Sequence, residues 1–316
     1  MVTTYQFSLS EVVIQRCNPP DSPHLTQETY GTHPKTPTPT NATCACCPYL
    51  AAFGIVTVMN VEVSNGLERR LNDLGNRMSY AGFGVQFPDA CGLSQDKEYF
   101  LLTTAGVTRS IRFHDYGSIF AVPGLYEHLF EKLLHCDSPR VVVSLLTQVI
   151  HGAGQSISKQ RVLDLGAGNG AVGGELRSAG FCNILALDRD ENARRAAWRD
   201  QPDAYDGYFL ADAGRLPDSV CGSLRAAAPT CLTCVAALGF RDAPLEAFVN
   251  VIDLLVPGGW CAVSLHEDLV DLTADLLALR RVTIHRRERY RHRLAIDGRP
   301  IHYICLIGST CGKRAE

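Results

Sequence analysis

Three glycines at alternate positions, Gly166, Gly168 and Gly170, are the residues of this chain best placed to hold a ligand. They follow the apolar run 162–165 and precede 171–176, which opens a predicted helix. Glycine lets a backbone turn sharply and approach a ligand closely, because it has no Cβ. The free N–H groups at the start of the helix would point at that ligand. The pattern predicts a nucleotide-binding strand–turn–helix, and its alternative is a tight turn without a ligand.

Asp164, just before the glycines, helps to identify the ligand. It is the only polar side chain in a run that should be buried on both faces of a parallel sheet. A buried carboxylate needs partners. A ligand ammonium group is one such partner, and S-adenosylmethionine carries one in its methionine portion. The alternative is a carboxylate satisfied by neighbouring backbone N–H groups. The glycines alone also fit a dinucleotide loop, but Asp164 favours S-adenosylmethionine over NAD.

Two more acids follow predicted strands. Asp188 ends an apolar run about 20 residues beyond the glycines, where a ribose-binding acid is expected. Asp190 is a predicted N-cap for the helix after it. Asp212, beside Ala213, follows the next strand and could accept the exocyclic amine of adenine. Helix capping explains Asp212 equally well.

The elements that carry these residues alternate between strand and helix, which predicts a parallel sheet with helices on both faces. The dipeptide Asp297-Gly298 is a strong hairpin turn, so the sheet should end in an antiparallel hairpin. A six-stranded dehydrogenase sheet would not end this way, which further disfavours NAD. The later predicted elements are a strand at 231–238, a helix at 244–255, a strand at 260–265 and hairpin strands at 282–296 and 302–307.

Residues from about 161 to 308 resemble the class I S-adenosylmethionine-dependent methyltransferase family. The resemblance rests on the glycine loop, Asp188, the Asp212-Ala213 pair and the turn Pro257-Gly258-Gly259. It implies a doubly wound, mostly parallel seven-stranded Rossmann-like α/β sheet that ends in an antiparallel hairpin, with an N-terminal lid region.

The family's binding roles carry over to matching positions. The first acid and the glycine loop would hold the methionine end, Asp188 the ribose and Asp212 the adenine. The segment 235–240 lacks the acidic or Asn-Pro-Pro-type motif of many amine-methylating members, which puts base-assisted or planar-amine methylation in doubt. The implied cofactor-binding residues are Asp164, Gly166, Ala167, Gly168, Gly170, Asp188, Arg189, Asp212, Ala213, Val235 and Ala236.

The sequence before the glycine loop is expected to form the lid, which sets substrate choice and excludes water. Strands are predicted at 99–104 and 108–113, and a helix at 123–134. The catalytic candidates are His114 as a general base, and Tyr116 and Tyr126 as electron-rich faces for a sulfonium; Asp115 belongs to the same cluster. Capping or simple packing is the competing explanation for each.

The chain divides into three predicted regions. Residues 1–58 are rich in proline and threonine and predict a disordered extension, so that Met59 is a candidate start of the functional protein; the alternative is a partner-binding arm. Residues 59–135 form the lid and begin with a predicted helix at 61–77. Residues 136–310 form the cofactor-binding domain.

Composition limits the function classes. A net charge of −3 gives no reason to expect a nucleic-acid partner. No apolar run approaches membrane length, and no secretory signal is apparent. The 13 cysteines include two Cys-x-x-Cys spacings, at 44/47 and 231/234. The second lies in a strand, where such positions face opposite sides, so no metal site is expected. A reducing cytoplasm is predicted; the oligomeric state is not readable.

The arginines of the predicted hairpin also alternate. Four of them share one strand face, with Tyr290 and His292 on the other, and we expect a solvated face. A site for an anionic substrate is the less favoured explanation. The four arginines are Arg287, Arg289, Arg291 and Arg293.

The predicted reaction is transfer of a methyl group from S-adenosylmethionine to a small-molecule acceptor. In a second hypothesis the cofactor is the same, but a nucleophile attacks a carbon of the sulfonium other than the methyl carbon. Such an enzyme would release methylthioadenosine, for example while closing the aminobutyrate arm into azetidine-2-carboxylate. A third hypothesis is a non-catalytic binding protein with a retained cofactor fold.

Overall fold

A computed structural model describes residues 82–89, 92–239, 244–279 and 282–311. The predicted extension at 1–58, the helix at 61–77 and the cysteine pair at 44/47 lie outside these residues. Among the described helices, none is long and apolar enough to cross a membrane.

The described part of the lid, residues 82–89 and 92–135, begins with a three-stranded antiparallel sheet. Its core is built mainly from phenylalanine, leucine and isoleucine side chains of the sheet and of the helical turns after it. The elements are β1 (Phe83–Gln86), β2 (Tyr99–Thr104), β3 (Val107–Arg112), α1 (Tyr116–Phe120) and a π-helical turn (Glu127–Leu133).

Seven further strands form the main sheet, and the predicted α/β architecture is confirmed. The spatial order is β6-β5-β4-β7-β8-β10-β9, with β10 antiparallel to both its neighbours and the other pairs parallel. The strands are β4 (Arg161–Leu165), β5 (Asn183–Asp188), β6 (Gly207–Leu210), β7 (Cys231–Val235), β8 (Trp260–His266), β9 (Val282–Leu294) and β10 (Pro300–Thr310).

Helices cover both faces of this sheet. Val162 on one face packs with α2 and α3, whereas Leu163 and Leu165 on the other pack with α5 and α6. The strand order reverses between β4 and β7, and open α/β sheets bind ligands at the carboxyl ends of such strands. The helices are α2 (Ser138–Gly152), α3 (Ala171–Ala179), α4 (Glu191–Asp200), α5 (Asp218–Ala227), α6 (Leu245–Ile252) and α7 (Val270–Leu279).

Several predicted elements are shorter than expected, and a positive φ accounts for two of them. The strand predicted at 231–238 ends at Val235, because Ala236 adopts a positive φ of 53° that an extended strand cannot contain. The helix predicted at 123–134 is reduced to the π-helical turn and the residues just before it, because Gly124 has a φ of 75°. The first departure places Ala237 against Gly166 at the carboxyl end of β4.

The prediction that Arg293 lies on the solvated face of its strand is wrong. Arg293 pairs with Ile301 and Arg291 with His302, so His292 is the extra residue of a β-bulge. The bulge turns Arg293 inward, where its guanidinium forms a buried ion pair with Glu98 of the lid at 2.5 Å. Glu98 also accepts a hydrogen bond from the backbone N–H of Ile296 at 2.8 Å. The hairpin therefore anchors the lid.

Candidate active site

A cavity of about 380 Å³ lies between the glycine loop and the lid. Its volume is in the range of small-molecule sites. Asp164 and Gly170 are not among the lining residues. The sequence-predicted residues that do line it are His114, Asp115, Tyr116, Tyr126, Gly166, Ala167, Gly168, Asp188, Arg189, Asp212, Ala213, Val235 and Ala236.

The glycine loop is packed too closely to accept side chains. Gly166 and Gly168 have φ values of 73° and 54°, in the left-handed region. A Cβ on Gly166 would lie 2.5 Å from Cβ of Ala237, and one on Gly168 would lie 3.2 Å from the Phe120 ring. Gly170 also has a positive φ and caps α3. The loop therefore needs glycine to adopt these φ values and to pack against Ala237 and Phe120.

Asp188 holds the glycine loop to the end of β5. Its Oδ2 accepts a hydrogen bond from the Gly168 N–H at 3.0 Å, and its Oδ1 accepts one from the Asp190 N–H at 2.9 Å. Removal from water raises the pKa of this carboxyl above its ordinary value. Each oxygen retains a lone pair, so the carboxylate can accept further hydrogen bonds from ligand hydroxyls.

Asp164 lies behind the loop, buried in the sheet. Its Oδ1 accepts a hydrogen bond from the Thr233 hydroxyl at 2.6 Å, and its Oδ2 accepts one from the Tyr205 hydroxyl at 2.7 Å. Burial raises the pKa of the Asp164 carboxyl to about 7, although both hydroxyls lower it. The partners are side-chain hydroxyls, which neither sequence-based explanation included, and the Asp164 side chain does not reach the cavity wall.

The capping role predicted for Asp212 is observed, and its adenine-binding role stays a prediction. Its Oδ1 accepts a hydrogen bond from the Gly214 N–H at 2.8 Å, which caps a short 3₁₀ segment (Ala213–Arg215). The same side chain lines the cavity beside Ala213, and no described residue donates to its Oδ2. Asp190 caps α4 through the Asn192 N–H at 2.8 Å, as predicted.

The lid contributes a stack of aromatic rings to the cavity. Tyr116 and Phe120 are stacked with centroids 5.9 Å apart, and Phe120 stacks on Tyr126 at 5.3 Å. Phe130 lies 4.7 Å from Tyr126. Burial raises the pKa of the Tyr126 hydroxyl well above its ordinary value, so this group stays protonated. The cluster predicted from His114 to Tyr126 is thus brought together in one wall.

Asn169 is a cavity residue that the sequence analysis missed. Its buried amide donates a hydrogen bond to Oε1 of Glu127 in the π-helical turn at 2.7 Å. Burial raises the pKa of the Glu127 carboxyl. The only signal in the sequence for Asn169 was its position between Gly168 and Gly170. Asn169 joins the glycine loop to the lid.

A second missed group lies at another part of the cavity wall. His292 and Ser138 line the cavity, and Nδ1 of His292 lies 2.6 Å from Ser138 Oγ. Tyr290 donates a hydrogen bond to the same oxygen at 2.8 Å. The sequence pattern placed Tyr290 and His292 on one face but assigned them no role.

Within the described ranges, no group of three or more metal-ligating side chains comes together. Cys231 and Cys234 are both buried in β7 and pack into different hydrophobic clusters, on opposite faces of the sheet as predicted.

The solved structures that resemble this chain include two methyltransferases of low sequence identity. N-methyltransferase NodS from Bradyrhizobium japonicum, in complex with S-adenosyl-L-homocysteine, is 12% identical with a TM-score of 0.47; the match covers 63% of this chain and 97% of NodS. Magnesium protoporphyrin IX methyltransferase from Synechocystis is 13% identical with a TM-score of 0.41, covering 54% of this chain and 79% of that enzyme. No curated protein matches significantly.

Family membership follows from the sequence itself. A family model described as a methyltransferase domain matches residues 132–304, which is more than half of the chain. This match confirms the resemblance drawn from the glycine loop and the acids after it. The chain therefore belongs to the methyltransferase-domain family, and its cofactor is S-adenosylmethionine.

Proposed function

We propose that this protein transfers the methyl group of S-adenosylmethionine to a small-molecule acceptor bound between the glycine loop and the lid. One observation carries the proposal: a single cavity joins the glycine loop and the acids at the ends of β5 and β6 to an aromatic wall of the lid. One part suits the cofactor, and the other leaves room for a second molecule.

The residues around the loop fit the cofactor. Gly166 and Gly168 line the cavity without a side chain, and a Cβ at either position would displace Ala237 or Phe120 of the same wall. The Asp188 carboxylate has lone pairs for the ribose hydroxyls, and Oδ2 of Asp212 can accept from the adenine amine. Asp164 lies behind the glycine loop and is proposed to hold the loop in position through Tyr205. The Tyr205 hydroxyl lies 3.2 Å from the Ala167 carbonyl oxygen.

S-adenosylmethionine supplies a methyl group already activated by its sulfonium. The chain's own task is to align the acceptor, exclude water and remove a proton where the acceptor carries one. The rings of Tyr116, Phe120 and Tyr126 present electron-rich faces that suit a cation. His114 is the proposed group for proton removal, because it lines the cavity beside this wall.

Attack on another carbon of the cofactor is the alternative reaction. It would need no second substrate, only a bent cofactor and a group that deprotonates the cofactor amine. The aromatic wall favours methyl transfer, because its flat rings are surfaces on which an acceptor can pack.

Product analysis tests the proposal. The full-length protein would be incubated with methyl-labelled S-adenosylmethionine, alone and with a small-molecule extract, and the products identified by mass spectrometry. We expect S-adenosylhomocysteine and a labelled product only when the extract is present. Methylthioadenosine formed from the cofactor alone would establish the alternative. An intact cofactor in both samples, despite measured binding, would favour the non-catalytic hypothesis.

A further inference from the structure

A chain of hydroxyl groups leads from β8 to His292 at the cavity wall. The Tyr290 hydroxyl donates a hydrogen bond to Ser138 Oγ at 2.8 Å, and Ser138 Oγ lies 2.6 Å from Nδ1 of His292. Ser264 Oγ hydrogen-bonds to the Tyr290 hydroxyl from the other side. All four side chains are buried, so each proton in the chain needs a definite partner.

The directions of these hydrogen bonds fix the tautomer of His292. Tyr290 gives its single hydroxyl proton to Ser138, so Ser264 must be the donor to Tyr290. Ser138 in turn donates to Nδ1 of His292 at 2.6 Å, because the other described group near its hydroxyl, the Cys136 thiol, is a weak acceptor whose pKa burial raises. An imidazole whose Nδ1 accepts a hydrogen bond carries its own proton on Nε2 when neutral. The ring therefore presents an N–H donor at its other edge.

Protonation of His292 would conflict with the directions of these hydrogen bonds. A proton on Nδ1 would face the Ser138 proton. Relief would require either that the hydroxyls reverse as far as Ser264 or that Ser138 donates instead to the Cys136 thiol, a weak acceptor. No described side chain offers Ser264 an acceptor other than Tyr290. The chain therefore holds the imidazole neutral and works against a role as general base.

The surroundings of His292 also favour the neutral imidazole. Burial is the main cause that lowers its pKa well below the ordinary value, and nearby cationic or titratable groups add to it. Its ring stacks on Tyr303 with centroids 4.1 Å apart, which covers one face. The groups that face it are Arg293 on its own strand, His266 of β8, His114 of the lid, and Cys136, whose Sγ lies 3.8 Å from Nδ1.

The fold separates His292 from the acids proposed to hold the nucleoside. Asp188 and Asp212 follow β5 and β6 on one side of β4, whereas β8 and β9 lie on the other side, beyond β7. We infer that His292 recognises the methyl acceptor by donating a hydrogen bond from Nε2. This inference rests on the proposed function and makes His292 a specificity-determining residue.

The cavity wall narrows the class of acceptor. Among the described lining residues, carboxylates outnumber guanidinium groups, of which Arg189 is the one present, so an anionic acceptor is disfavoured. The stacked rings of the lid suit a planar aromatic molecule, and a neutral N–H donor suits an oxygen that accepts a hydrogen bond. The acceptor is therefore a neutral aromatic molecule with a carbonyl-type oxygen directed at His292. The wall carboxylates are Asp115, Asp188, Asp190 and Asp212.

The tautomer can be read without a substrate. Long-range ¹H–¹⁵N spectra of the full-length protein, labelled with ¹⁵N-histidine and assigned with His292→Gln, report which nitrogen carries the proton. We expect a neutral ring with the proton on Nε2 from pH 5 to pH 8. Ser138→Ala should raise the pKa of His292, because Nδ1 loses its donor. A proton on Nδ1, or a charged ring at neutral pH, would overturn the inference.

Recognition can be tested with two matched probes, 4′-hydroxyacetophenone and 4-ethylphenol, which differ mainly in the carbonyl oxygen. Titrated into protein loaded with S-adenosylhomocysteine, the carbonyl probe should bind about three- to tenfold more tightly, the value of one hydrogen bond. His292→Leu should abolish the difference, and His292→Gln, which keeps an N–H donor, should retain part of it. Equal binding of the probes, or binding of neither, would refute the acceptor class.

The same samples separate this inference from the proposed function. S-adenosylmethionine affinity is measured first by calorimetry, and His292→Leu should leave it within about twofold of the unsubstituted chain, since His292 lies away from the nucleoside acids. If the unsubstituted chain does not bind S-adenosylmethionine, the proposed function is contradicted. Normal cofactor binding without discrimination between the probes would contradict only the inference about His292.

Discussion

The Asp164 carboxyl gives the most quantitative prediction. It is 1% exposed, lies behind the glycine loop and accepts hydrogen bonds from Thr233 and Tyr205. Burial raises its pKa from 3.8 to about 7. A change of this size in one carboxyl corresponds to about 4 kcal/mol of folding free energy.

The sign of the effect follows from where the proton is held. Below pH 3.8 the Asp164 carboxyl is protonated in both the folded and the unfolded chain, and the folded state keeps its full stability. Between pH 3.8 and about 7 the unfolded chain ionises while the folded chain retains the proton, so stability falls as pH rises. Above about pH 7 both states are ionised and the loss is complete.

Asp164→Asn removes this titration while keeping a polar side chain of the same size. As the pH rises from 4 to 8, the original chain should lose about 4 kcal/mol of unfolding free energy relative to the variant. Urea unfolding at several pH values measures it. Asp203→Asn, which changes an exposed carboxylate, is the matched control and should show no such slope. A pH-independent difference for Asp164→Asn would refute the argument that burial controls this carboxyl.

Three further substitutions test other parts of the account. Asp188→Ala removes the acceptor that ties the loop to β5 and should weaken S-adenosylmethionine binding at least about tenfold by calorimetry, the loss of a hydrogen-bonded charge; unchanged affinity would remove Asp188 from the site. Gly166→Ala should weaken binding and stability, because its Cβ would lie 2.5 Å from Ala237; adding Ala237→Gly should restore part of both, and no rescue would refute the steric explanation. Glu98→Gln leaves the buried Arg293 without its carboxylate and should cost about 3–5 kcal/mol in urea unfolding; a cost within about 0.5 kcal/mol, as at an ordinary surface position, would contradict the buried ion pair.

The main sheet could be predicted because its signals are local. A buried apolar run, three glycines and a helix start lie within 15 residues, and each is dictated by its own backbone geometry. The turn Asp297-Gly298 likewise specifies its hairpin from two adjacent residues, and Gly298 has the positive φ that such a turn needs. The alternation of strands and helices, the closing hairpin and the glycine loop therefore follow from short stretches of sequence.

The residues that could not be predicted depend on partners distant in the chain. Thr233 and Tyr205 meet Asp164 from 69 and 41 positions away, and nothing in their own neighbourhoods indicates it. The alternation that placed Arg293 outside is correct for a regular strand and fails at the bulge, which depends on pairing with β10. In the lid, the strands at 99–104 and 108–113 are confirmed within one residue. The π-helical turn could not be predicted, because the 3.6-residue periodicity of an α-helix does not indicate it.

Titration calorimetry of S-adenosylmethionine into the full-length protein tests the central claim most directly. If the glycine loop and Asp188 form the cofactor site, one molecule should bind per chain, and S-adenosylhomocysteine should compete for the same site. Absence of saturable binding of either molecule to folded protein would contradict the assignment of this cavity to a methyl-transfer reaction.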